Sequence, residues 1–283
     1  MPHPFGGDGI VLPPNPFTGP PTTGTWEAGT IIVDATGTPY ICQVDGTPGT
    51  WQPIGLGTIP PPSLVEQYPE FIDTFVNGLQ TGMGWNIQAL SGTYAQVAPP
   101  AGKGGRNGVV GVINVTTGTS TTGRVGAILG ANLLRFEGGN TYTMWCRFLA
   151  GVMPDATNDY SLRIGFIDSN LAAESVDGVY FEFLRASSPN WRCKTASNSS
   201  RTTATTAVPV QEANWIDLKI DVDGSAQIAR FYIDDVLVAT INTNIPTSAG
   251  RETSVGFSLA KTAGGTTRNV YFDRIYFKLN AAA

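Results

Sequence analysis

Residues able to do acid–base or nucleophilic chemistry are sparse in this chain of 283 residues, and they are scattered. Its single histidine, His3, lies in a proline-rich amino-terminal stretch. A Ser–His or Cys–His pair needs its base within hydrogen-bond reach of the nucleophile, so the patterned part of the chain lacks that machinery. Cys42, Cys146 and Cys193 are odd in number and widely spaced, which is neither a disulfide framework nor a zinc-ligand pattern. A Cys146–Cys193 bridge stays open as the alternative to free thiols. Cys146 sits in the strand-like run Thr141-Tyr-Thr-Met-Trp-Cys-Arg-Phe148, where it reads as a small buried hydrophobe. Hard oxygen donors of the kind calcium prefers occur in Asp155-Ala-Thr-Asn158-Asp159 and Asp168-Ser-Asn170, although such acidic clusters more often simply form turns. Gly102-Lys-Gly-Gly-Arg-Asn-Gly108 is glycine-rich and basic but lacks the spacing of a phosphate loop. Neither a metal nor a cofactor is expected.

Sugar recognition is the chemistry that remains. It needs an exposed aromatic face with guanidinium, amide or carboxylate groups around it. Tyr180 and Glu182 alternate with Phe181 and Phe183, so one pair faces outward; Arg185, Asn190, Trp191 and Arg192 follow on a nearby strand and its loop. These six polar and aromatic residues are the candidate ligand-binding set. The competing reading places Trp191 in the core, where strand tryptophans usually go.

Strands must position them. Trp215-Ile-Asp-Leu-Lys-Ile-Asp-Val-Asp223 sets Ile216, Leu218, Ile220 and Val222 on one face and Asp217, Lys219, Asp221 and Asp223 on the other. A helix cannot show that period of two as one stripe. Arg230–Pro246 then reads as two strands around an Asp234-Asp235 turn, with Phe231, Ile233, Val236, Val238 and Ile241 apolar. From Phe71 to Leu279 about eleven or more short runs of this type follow one another without intervening helices. The fold class is all-β: an antiparallel sandwich.

The stretch from Asn214 to Pro246, above all the Tyr-Ile-Asp-x-x-Leu-Val-Ala-Thr hairpin within it, resembles the laminin-G/concanavalin A-like jelly-roll modules of bacteriophage tail fibres, tailspikes and head fibres. Asp155–Gly165, Asp177-Gly-Val-Tyr-Phe-Glu-Phe183 and Asn190-Trp-Arg-Cys193 extend the likeness over roughly residues 70–280. Glycosidases on that fold typically carry Glu-x-Asp-x-x-Glu, a pattern that matches their need for paired carboxylates. Here Glu182 has no second carboxylate two residues away, so no enzyme activity is expected.

The amino-terminal quarter is organised differently. Residues 1–24 are rich in proline and glycine and show no hydrophobic period, so they read as an extended arm without its own core. Its substantial apolar groups, Ile10, Val11, Leu12 and Phe17, are the candidates for anchoring it to another protein. Residues 25–54 repeat Gly-Thr-Trp at Trp26 and Trp51 around two strand-like runs. About thirty residues are too few for an independent core, so this small β module is expected to associate, with Trp26 and Trp51 as the oligomerisation residues. It too resembles a β motif found near the start of phage tail and fibre proteins. Residues 55–63 form a Pro/Gly linker, and 64–283 the jelly roll.

Glycine (34) and proline (20) are abundant, only 14% of residues are charged, and the net charge is −5. That argues against nucleic acid as a main partner, and no apolar run is long enough to span a bilayer. The start, Met-Pro-His-Pro-Phe-Gly-Gly, has no basic or apolar leader segment. The resemblance therefore implies a virion structural protein made in the host cytoplasm. It would be a homotrimeric fibre or spike, anchored to other virion proteins by its arm and presenting a lectin-like head to host glycan. A capsid cement or decoration protein, and a free-standing lectin or glycanase, are the alternatives.

Overall fold

A computed structural model describes residues 18–36, 38–53, 70–101, 111–212, 214–225 and 227–281. The chain divides into two compact units, Met1–Glu66 and Gln67–Ala283.

In the first unit β1 (Ile31–Val33), β2 (Pro39–Val44) and β3 (Thr50–Pro53) form an antiparallel sheet in that order. The β1–β2 connection is built around Asp34, whose carboxylate accepts from Thr36 Oγ1 and from the backbone N–H groups of Gly19, Thr36 and Thr38. Those bonds, led by the Thr36 hydroxyl, hold its pKa down at about 2. The Gly-Thr-Trp repeat proves to be a repeated turn. In each copy the indole N–H donates back to the carbonyl three residues earlier, Trp26 to Thr23 and Trp51 to Pro48, both at 2.9 Å. Gly24 and Gly49 sit at φ +90° and +83°, a region that favours glycine. A Cβ on Gly49 would also fall 2.9 Å from Cys42 Sγ. The two indoles meet edge to face at 5.4 Å, and among the described residues of the unit the buried hydrophobic side chains are Ile32 and Cys42.

The second unit is a sandwich. Its strands are β4 (Glu70–Asp73), β5 (Trp85–Leu90), β6 (Thr93–Val97), β7 (Val112–Thr116), β8 (Arg124–Leu129), β9 (Asn140–Ala150), β10 (Asp159–Ile167), β11 (Gly178–Leu184), β12 (Asn190–Ser197), β13 (Ser200–Pro209), β14 (Ile216–Asp223), β15 (Ile228–Ile233), β16 (Val236–Ile241), β17 (Ser254–Ala263) and β18 (Asn269–Ala281). One sheet has seven strands, ordered β13-β12-β11-β10-β17-β8-β5. The other runs β16-β15-β14-β9-β18-β7-β6, with β4 pairing β18 beside it. All the pairings between these strands are antiparallel, and the last strand lies beside the first of the unit. The single 3-10 turn described, Thr81–Met83, is three residues long. The sequence-based fold class is the observed one.

Period-two alternation decides what lies between the sheets. From the seven-stranded sheet come Leu162, Ile164, Phe166, Val179, Phe181, Phe183 and Phe257; from the other come Met144, Cys146, Phe148, Leu218, Ile220, Phe231 and Phe272. Trp191 lies among them, its ring centroid 5.4 Å from Phe148, 5.9 Å from Phe181 and 6.3 Å from Phe183. All three cysteines are free and buried, so the Cys146–Cys193 bridge is not formed. Burial pushes both thiols up, well out of the reactive range.

The 230–246 stretch is the expected hairpin, and its turn residues Asp234 and Asp235 both take positive φ, 50° and 65°, as the favoured two-residue hairpin turn demands. One detail differs. Val236 is 64% exposed, because β16 is an edge strand and a register shift at Phe231/Tyr232 changes its phase. Changing Trp191 to Ala should cost about 3–5 kcal/mol, as for other large core truncations. Chemical denaturation of the full chain measures this; a loss below about 1 kcal/mol would place the ring outside the core.

Candidate functional site

The outer face of the seven-stranded sheet carries Tyr180, Glu182 and Arg192 of the residues that the sequence singled out, and there it is covered. The register runs Arg192–Glu182–Arg163–Ser258–Gly126–Gln88 across β12, β11, β10, β17, β8 and β5. Glu182, 1% exposed, receives three cations: Arg163 Nε at 3.1 Å, Lys194 Nζ at 2.9 Å, and Arg192. Lys194 also pairs with Glu174, which accepts from the Tyr180 hydroxyl at 3.0 Å and lies 3.4 Å from Arg201. Burial pushes the Glu174 carboxyl up, but Lys194, the Tyr180 hydroxyl and Arg201 together outweigh it and the net shift is downward. Burial, then the Glu174 charge, raises the Tyr180 hydroxyl.

The segment from Asp168 to Asp177, between β10 and β11, lies over this network like a strap. Arg163 Nη1 donates to the carbonyls of Ala172 (3.1 Å) and Ala173 (3.3 Å), Arg201 to that of Ser175 (2.8 Å), and Asn170 Nδ2 to that of Asn86 (2.8 Å). Gly126 makes room for it, since a Cβ there would lie 2.1 Å from the Asn170 carbonyl oxygen.

This corrects the expected exposed platform. Tyr180, Glu182 and Arg192 do come together on the outer face, but Tyr180 and Glu182 are buried, and Trp191 points the other way into the core. Asn190 is partly buried and spends its side-chain amide on the Thr206 carbonyl at 2.9 Å. Arg185 alone of the set is fully at the surface, in the turn after β11. The oxygen-rich turns are also committed: Asp155 accepts from the backbone of Thr157 and Asn158 and pairs with Arg268, while Asp168 accepts from the Asp177 N–H. Ile10, Val11, Leu12 and Phe17 lie outside the described residues.

Among the described residues no segment is hydrogen-bonded across Trp145 on the outer face of the eight-stranded sheet, and sequence reasoning missed this face. One row across the strands reads Tyr232 (β15), Lys219 (β14), Trp145 (β9), Tyr276 (β18) and Ile72 (β4). The three aromatic residues are partly exposed, and Ile72 is 51% exposed. Lys219 Nζ lies 4.6 Å from the Tyr232 ring centroid, and the Arg147 and Arg274 guanidinium groups lie 5.2 and 5.4 Å from that of Trp145. Carboxylates interleave with them. Arg147 meets Asp217 at 3.0 Å and Asp273 at 3.4 Å, Arg274 meets Asp273 at 3.3 Å, and Lys219 meets Asp221 at 2.8 Å. Burial, then the Glu70 carboxylate, raises the Tyr276 hydroxyl. Such a face offers ring surfaces for C–H contact beside a fixed lattice of donors and acceptors. The signal was present in the alternation Thr141, Thr143, Trp145, Arg147 on β9, opposite the wet face of β14.

The SO2946-like C-terminal domain matches residues 108–273, more than half of the chain. The chain belongs to that family. Within the SO2946-like family's fold, the crystal structure of SO2946 from Shewanella oneidensis MR-1, a protein of unknown function, superposes with a TM-score of 0.53 at 12% identity, over 76% of this chain and 87% of that one. An endo-1,3-beta-glucanase from Streptomyces sioyaensis superposes with a TM-score of 0.50 at 13% identity, over 75% and 95%. Identities this low speak for a shared jelly-roll fold alone. No curated protein sequence matches the chain.

Replacing Glu182 by Gln leaves three buried or part-buried cations around an uncharged group. A loss of about 3–5 kcal/mol is expected, as for breaking other buried ion pairs, with faster hydrogen exchange across residues 168–177. Unchanged stability and unchanged exchange would show that the network does not hold the strap.

Proposed function

We propose that this SO2946-like protein is a non-catalytic glycan-recognition protein whose ligand surface is the outer face of the eight-stranded sheet. The observation that carries this reading is the Tyr232–Lys219–Trp145–Tyr276 row. It is aromatic, partly exposed and set in paired charges. The other face argues against a hydrolase. Its central carboxylate is pinned by three cations under the strap, whereas glycoside hydrolysis needs one carboxyl able to give up a proton beside a second at fixed distance.

The setting we propose is a bacteriophage virion, where the protein serves as a fibre or spike. Support comes from the jelly-roll likeness of the 214–246 stretch and from the two-tryptophan amino-terminal unit. With Ile32 and Cys42 as the buried hydrophobic residues among those described, that unit gains by associating, and a homotrimer built around Trp26 and Trp51 suits it. The arm, through Ile10, Val11, Leu12 and Phe17, would attach the trimer to other virion proteins.

Screening the full chain on immobilised cell-surface polysaccharides of bacteria tests the reading. A binding polysaccharide should be retained without being shortened, and Trp145→Ala should weaken retention tenfold or more while leaving the melting temperature within a few degrees. Release of reducing ends, or binding indifferent to Trp145, would overturn it.

A further inference from the structure

The three cations that lie against the rings of the row are each paired with a carboxylate, and from this we infer that the ligand is a neutral polysaccharide lying across the strands. The inference rests on the reading of this face as the glycan surface. Cations are present in number, yet each one beside a ring already has a carboxylate within 3.4 Å: Asp221 for Lys219, Asp217 and Asp273 for Arg147, Asp273 for Arg274. Asp273 is fully buried and Asp217 is 5% exposed, so neither can swing aside to free its guanidinium partner. A uronate or sulfated chain would have to compete with fixed internal carboxylates for these cations and would bring its own charge next to them. Like charge at such range costs affinity. A hydroxyl group suffers no such penalty. It can accept from an Arg or Lys N–H without bringing charge, and at the partly exposed Lys219–Asp221 pair it can also donate to a carboxylate oxygen in the same contact.

Direction follows from the spacing of the rings. Neighbouring strands lie about 4.8 Å apart. Trp145 and Tyr276 are directly opposite on adjacent strands, and Tyr232 is two strands from Trp145 on the other side. A sugar chain crossing the strands therefore meets three rings within roughly 14 Å. A chain running along β9 would instead leave Trp145 for Thr143 in one direction and Arg147 in the other. Exposed Ile72 continues the row beyond Tyr276, extending the apolar track in the same direction.

The test is affinity electrophoresis and calorimetry of the full chain against two panels, at about 0.05 M and about 0.5 M NaCl, a range over which exposed charge–charge attraction is strongly screened. The neutral panel holds glucans, galactans, mannans and arabinoxylans; the acidic panel holds polygalacturonate, alginate and dextran sulfate. Trp145→Ala, Tyr276→Ala and the conservative Trp145→Tyr accompany the wild type, each checked by its melting temperature. We expect a neutral polymer to bind, with affinity changing less than about threefold between the two salts. Either alanine variant should weaken it tenfold or more, and Trp145→Tyr should retain most of it. Binding confined to the acidic panel, lost in Trp145→Ala and falling steeply with salt, would overturn the neutral-ligand inference while leaving the face as the glycan surface. Absence of binding to both panels, or binding that Trp145→Ala and Tyr276→Ala leave intact, would overturn the glycan surface itself.

Discussion

The pairing of β9 with β18 is the constraint on which the second unit depends. It joins Asn140–Ala150 to Asn269–Ala281, segments more than a hundred residues apart, and β18 in turn holds β7 and β4 on its other side. Long-range pairing of this kind repays its loop-closure entropy only when many contacts form together. Here the inner faces of both strands bury Met144, Cys146, Phe148, Phe272, Ile275 and Phe277. The ladder also contains the irregularity that makes the outer face what it is. A register shift between Phe272 and Arg274 adds Asp273 to the strand, and its buried carboxylate reaches Arg147 and Arg274 together. Bulges commonly re-aim a side chain in this way. With β9 and β18 in this register Trp145 faces Tyr276; a slip of one residue would put the two rings on opposite faces of the sheet.

The two outer faces of the sandwich have been given opposite treatments by the same alternation. On the seven-stranded sheet the outward residues include Arg163, Glu182, Arg192 and Lys194, and a ten-residue strap covers them. Its carbonyl groups satisfy guanidinium donors, and glycine at 126 lets it lie close to the sheet. Charges there are structural: desolvated, paired and costly to separate. On the eight-stranded sheet the outward residues are equally polar, but no described segment is hydrogen-bonded across Trp145, and its rings keep contact with solvent. Position relative to a covering segment, more than residue type, separates a structural charge network from a surface available to a ligand.

That distinction explains what the sequence could and could not reveal. Alternation in Trp215–Asp223 and the Asp234-Asp235 turn made the strands and hairpin legible, because local period and turn chemistry are properties of neighbouring residues. The Gly-Thr-Trp repeat was legible as a repeat, but its meaning, an indole folded back on a positive-φ glycine turn, needed coordinates. Tyr180, Glu182 and Trp191 misled for a related reason. Alternation correctly put Tyr180 and Glu182 outward, yet outward is not exposed when the loop that joins β10 to β11 folds back on top, and Trp191 took the core place of the competing reading. The Trp145–Tyr276 pair was invisible because it joins residues 131 positions apart in sequence through one register, and no local pattern encodes which distant strand becomes the neighbour.

The most direct measurement is the response of the six tryptophan indole N–H signals to a bound glycan, followed by nitrogen-labelled NMR of the full chain. Trp145 stands alone among them on the open face, while Trp85, Trp191 and Trp215 are buried and Trp26 and Trp51 belong to the amino-terminal unit. Titration with a neutral oligosaccharide that the protein retains should move the Trp145 indole signal in proportion to occupancy and leave that of Trp191 in place. A saturating titration that shifts other indoles while the Trp145 signal stays fixed would contradict the account.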